Sequence, residues 1–162
     1  MTGKPAFTDE EWVRVRRAPT VAGMAISLAD PGGPIELAKE TMATLRSVGA
    51  PPSQDELLVA VSQEVMAMGQ QRRNPMSGFK VDDPRQAGPQ VLQELREVHD
   101  VVRAKATPEE ASAFAEWLLA IAQDAADAAK EGGFMGFGAE QVSQGEQTML
   151  EQLRSTLGVT DA

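Results

Sequence analysis

The chain has no cysteine and no tyrosine, and its one histidine is His99. The missing thiols exclude disulfides, thiolate metal sites and thiol nucleophiles together. One imidazole cannot supply a histidine-rich zinc centre, and any hydroxyl–imidazole relay would have to be built around that residue alone. Basic side chains are also in short supply, with 15 Lys and Arg against 24 Asp and Glu, for a formal net charge of −9. Nucleic-acid binders draw much of their affinity from cations that neutralise phosphates, so this balance reads against that class and against an anionic lipid surface. Long apolar runs are lacking too. The longest, APTVAGMAISLA, is too short to insert into and span a bilayer. The opening MTGKPAFTDEEW carries early acids and no apolar stretch, which reads against a secretory signal and for a cytoplasmic protein.

What is present is helical punctuation. Thr8 to Glu11, Ser53 to Glu56, Thr107 to Glu110 and Ser143 to Glu146 each fit a capping box, a hydroxyl followed three residues later by an acid. Pro19, Pro34, Pro84 and Pro108 suit first helical turns, where a missing N–H costs nothing. Gly49 and Gly158 fit helix stops. Between these marks the apolar residues recur at helical spacing: Leu57, Val61, Val65, Met68; Val91, Leu95, Val98, Val102; and Phe114, Leu118, Ile121, Ala122, Ala125. No strand-like alternation occurs. The pattern predicts helices near 9–17, 19–29, 35–48, 54–69, 85–105, 108–131 and 144–157, the first two forming either two helices or one kinked at Pro19. The expected fold is all-α, a compact single domain of six or seven short helices. Residues 70–83 form a linker between possible pseudo-symmetric halves, 8–69 and 84–158, whose helices end alike in TMATLRSVG and TMLEQLRSTLG.

Few residues offer chemistry. The stretch GGFMGFG has no preceding strand and no following lysine, which reads against a phosphate cradle. Its Phe134, Met135 and Phe137 either plug the core or form a partner-binding surface, because exposed aromatics between glycines are costly unless covered. Asp124, Asp127 and Glu131 fall on one side of a helix, a solvated acidic face or a weak Ca²⁺ or Mg²⁺ site. His99 reads as a surface or half-buried helix residue, with Arg96 and Arg103 on its side. Met24, Met42 and Met149 read as gap-fillers on apolar faces rather than soft-metal ligands. Arg14, Arg16 and Arg17 read as partners for acids of this chain or of another.

An alanine-rich helix, a short turn with acid and glycine, and then V-S-x-x-E followed by spaced leucines runs through AIAQDAADAAKEGGFMGFGAEQVSQGEQTMLEQLRSTLGV. This resembles the tellurite-resistance B (TerB) family, and AISLADPGGPIELAKETMATLRSVG resembles a looser copy of the same pattern. The second turn is stretched by GGFMGFGAEQ, so that Asp127 is the nearest counterpart of the family's turn aspartate. GGFxGFG followed by VSxxE is also similar to segments of bacterial all-helical proteins without an assigned role. The first resemblance implies an internally repeated helical domain, a link to bacterial stress responses and an acidic, cation-binding surface, with Asp30 joining Asp124, Asp127 and Glu131 as ligands. The residues together favour a non-catalytic interaction or adaptor protein of the bacterial cytoplasm, self-associating or bound to a protein partner, without resident cofactor. The alternatives are a Ca²⁺- or Mg²⁺-binding stress-response protein, and a small-ligand carrier or enzyme with a pocket between helices.

Overall fold

The computed structural model describes residues 2–130 and 142–160. Among the described residues six α-helices occur and no strand: α1 (Asp9–Ala29), α2 (Pro34–Gly49), α3 (Glu56–Gln70), α4 (Ala87–Lys105), α5 (Pro108–Lys130) and α6 (Gln144–Thr156). Short 3₁₀ turns precede α1 at Lys4–Ala6 and α4 at Pro84–Gln86. The three apolar stripes read from the sequence are buried on α3, α4 and α5, as expected from their spacing. Apart from Met68, which is buried outside it, they belong to one continuous core together with Trp12, Val15, Ile26, Val48, Leu153 and Leu157. No described helix is long and apolar enough to cross a membrane.

The capping boxes at Thr8 and Ser143 form as expected. The one at Thr107 forms too, its hydroxyl accepting from the Glu110 N–H at 3.2 Å while the Thr107 N–H donates to the Glu110 carboxylate at 3.1 Å. Ser53 does not cap. Its hydroxyl turns to the Asp55 carboxylate at 2.6 Å, and α3 begins after Asp55 without a side-chain cap. Pro34 and Pro108 open helices, whereas Pro19 lies inside the single helix α1 instead of starting a second one. A proline there forfeits the hydrogen bond to the Val15 carbonyl, a cost of about 3 kcal/mol. α1 is surrounded by α2 to α6, and burial of Val15, Ala18, Val21 and Ala22 holds the helix through the gap. Gly49 is simply the last residue of α2. Gly158 does stop α6 in the left-handed region at φ +65°, with the Val159 N–H donating back to the Arg154 carbonyl. α3 ends in the same way on a non-glycine residue, Arg72 at φ +56°, as the Arg73 N–H donates to the Met68 carbonyl at 2.8 Å.

Charged side chains fix α1 against α3 and α4. The Arg17 guanidinium donates to Glu94 at 2.6 and 2.9 Å, and both residues are buried. Arg14 reaches Glu94 and Glu97, and Arg16 and the Trp12 indole N–H both donate to Glu64. Arg17 also holds the 71–83 connection. Its guanidinium lies 5.7 Å from the centre of the Phe79 ring and reaches the Ser77 carbonyl at 3.5 Å. Gly78, at φ +90°, lets the loop come this close, because a Cβ there would sit 2.9 Å from Arg17 Nη1.

Removing one partner of a buried ion pair strands the other, whereas replacing both can be neutral. Glu94→Ala is therefore expected to cost about 3–5 kcal/mol in urea unfolding, and the double change Arg17→Met, Glu94→Leu to recover most of that loss.

Candidate functional site

α2 is built inside out. On the side facing the protein it places Glu40, Ala43, Thr44 and Val48, all buried. On the opposite side Ile35, Ala38, Met42, Leu45 and Gly49 follow one another at steps of three and four residues, the spacing of a seam made to pack against another helix. Ile35 is 69% exposed, Met42 59% and Leu45 40%. Leu37 is exposed on the other row, one turn before Glu40, and Met66 of α3 continues the seam at its far end, 3.5 Å from where a Cβ of Gly49 would be. Met42 is thus not the core gap-filler its spacing predicts; the core-facing side of α2 lies elsewhere, and the methionine points outward.

Polar bonds hold the reversed helix in place. The Ser27 hydroxyl of α1 donates to the Glu40 carboxylate, while the buried Thr44 hydroxyl is satisfied within α2 itself by the Glu40 carbonyl at 2.8 Å. The last turn of α2 exposes carbonyls that no intrahelical N–H can reach, and donors from neighbouring helices meet them. The Trp117 indole of α5 donates to the Ser47 carbonyl at 3.2 Å, and the Ser62 hydroxyl of α3 to the Val48 carbonyl at 2.7 Å. Gly23 of α1 permits the close approach, since a Cβ there would lie 2.9 Å from Thr44 Cβ. Small and polar residues face inward, and the large apolar ones remain outside.

Lys39 and Arg46 flank the outer seam on one side, each four residues after a seam position. Neither forms an ion pair among the described residues. The exposed face of an acidic protein therefore carries a basic edge.

Of the residues singled out in the sequence, Asp124 is exposed on α5 and accepts from the Ser47 hydroxyl at 2.6 Å. Asp127, one turn on, accepts from Gln123 at 3.1 Å. Asp30 caps the end of α1 beside Gly145, at the start of α6. Among the described residues no three carboxylate or imidazole groups come together in a way that would hold a metal ion. Glu131, Phe134, Met135 and Phe137 lie outside the described residues.

Reading the sequence misses Glu40. It looks like a surface acid one turn after Glu36, yet it is only 3% exposed. Burial pushes its carboxyl above the ordinary range, the nearby Glu146, Glu36 and Asp30 push the same way, and the Ser27 hydrogen bond opposes them. Between the unfolded and the raised folded value, the folded protein keeps on Glu40 a proton that the unfolded chain releases. Stability from this group is full below the unfolded value near 4.5 and is lost as pH rises through the higher folded value. Glu40→Gln is expected to raise the melting temperature at neutral pH by a few degrees, about 2–4 °C, and the gain should vanish towards pH 4. Melts across a pH series check both halves of the statement. The wider protein world offers no template for these features: no family model, no curated protein and no solved structure matches the chain.

Proposed function

We propose that this protein is a non-catalytic helical interaction module of the bacterial cytoplasm that takes up a helix of a partner protein on the outer face of α2. One observation carries the reading. A helix that buries Glu40 and Thr44 while exposing Ile35, Met42 and Leu45 is arranged for two neighbours, and the chain supplies only the inner one among the described residues. Patches of this kind mark interaction surfaces on soluble proteins. The basic edge names the chemistry of the occupant: an amphipathic helix with an apolar seam flanked by Asp and Glu, facing Lys39 and Arg46. Two α2 helices packed antiparallel would instead set Lys39 and Arg46 of one copy against the same residues of the other.

A designed probe tests this: a helical peptide with leucines at seam positions and glutamates along its flanks, beside a twin with lysines in their place. The acidic peptide is expected to bind, and the basic one at least about tenfold more weakly at low salt. The double change Met42→Glu, Leu45→Glu should abolish binding while leaving helix content intact, since both side chains are exposed. Equal binding of the two peptides would remove the basis for the partner's chemistry. A dimer in sedimentation that the same double change dissociates would make a second copy the occupant.

A further inference from the structure

Beyond the helix-binding face, we propose that the cleft between α4, α5 and the segment after α6 is a binding site for a small organic carboxylate with an apolar body. The cleft encloses about 470 Å³, within the range of small-molecule sites. Small residues create the space: Ala111, Ser112 and Ala115 on α5 leave room that the turn after Leu157 does not fill. Ala111, Ala115 and Leu157 are buried and give an apolar floor.

One wall is cationic. Arg103 is exposed at the rim and pairs with no carboxylate among the described residues. His99, one turn earlier on α4, is half-buried, with its Nε2 3.6 Å from where a Cβ of Gly158 would be. No described residue makes a hydrogen bond to its ring. A half-buried imidazole and a guanidinium that both lack a partner among the described residues form an arrangement an anion completes. The opposite wall limits that anion to a single charge. Glu116, receiving the Ser112 hydroxyl at 3.1 Å, would repel a dianion such as a phosphate monoester, and its free oxygen can accept from a hydroxyl or ammonium at the ligand's far end.

The site responds to pH. Burial holds the His99 imidazole below its ordinary range, the Arg103 charge adds to this, and Asp100 opposes it. Glu116 faces it across the cleft, and residues 157–160 bring no charge. A bound carboxylate stabilises the imidazolium, so binding takes up a proton and tightens as pH falls through the histidine range.

The single histidine makes the test direct, because its ring protons give one isolated set of nuclear magnetic resonance signals. Hexanoate, hexanol and inorganic phosphate serve as probes on the full chain. Hexanoate is expected to shift the His99 signals saturably and to raise the ring's titration midpoint. Arg103→Gln should weaken hexanoate by about tenfold. Ser112→Phe, which fills the cleft from its rim, should abolish the shift. Arg103 and Ser112 are exposed, so both variants retain the fold. Equal shifts with hexanol would leave an apolar cleft without carboxylate recognition, and equal shifts with phosphate only diffuse electrostatics; either result overturns the proposal. So does a His99 signal unmoved by hexanoate at about 10 mM, an affinity below which recognition of one charge has no content. None of these outcomes bears on the face of α2, which lies on a different helix.

Discussion

A guanidinium and a carboxylate closed off from water, Arg17 and Glu94, decide where α1 lies, and α1 in turn touches every other α-helix. Neither charge tolerates burial alone, so the two helices cannot slide past one another without stranding both. The same guanidinium holds Phe79 and Ser77, which ties the long connection after α3 to the centre of the protein. With α1 fixed, Gly23 presents a gap on another side of it, and α2 settles there with its small and polar face inward.

That placement gives the protein its external character. α2 is held by hydroxyl, indole and carboxyl groups rather than by its large apolar side chains. Those side chains remain available as a row along the surface. The cleft beside His99 arises differently, from a shortage of bulk where α5 passes the turn after α6. One feature is an excess of apolar surface, the other a lack of volume, and both sit on a frame set by the charged pair.

Much of the frame could be read in the sequence, because it follows from local rules. The hydroxyl–acid pairs at Thr8, Thr107 and Ser143 start helices wherever they occur, and the stripes on α3, α4 and α5 repeat within a few turns. Pro19 misleads because its local cost is real and only surrounding helices, distant in sequence, offset it. Met42 misleads for a related reason. Periodicity identifies an apolar face but not what lies against it, and here the body of the protein takes the other side. Glu40, the Arg17–Glu94 pair and the cleft all join residues far apart in the chain, and no spacing rule reaches across such separations.

The order of helices along the chain has a consequence for how the protein is made. α1 is translated before the other described α-helices, yet its broadest contacts are with α4 and α5, which leave the ribosome much later. Until then the sides of α1 that α4 and α5 cover are open, and Arg17 has no Glu94 to meet. The nascent chain cannot lock its first half in place as it emerges. Closure waits for the second half, and until it comes the emerging α1 keeps apolar surface open to association with other chains.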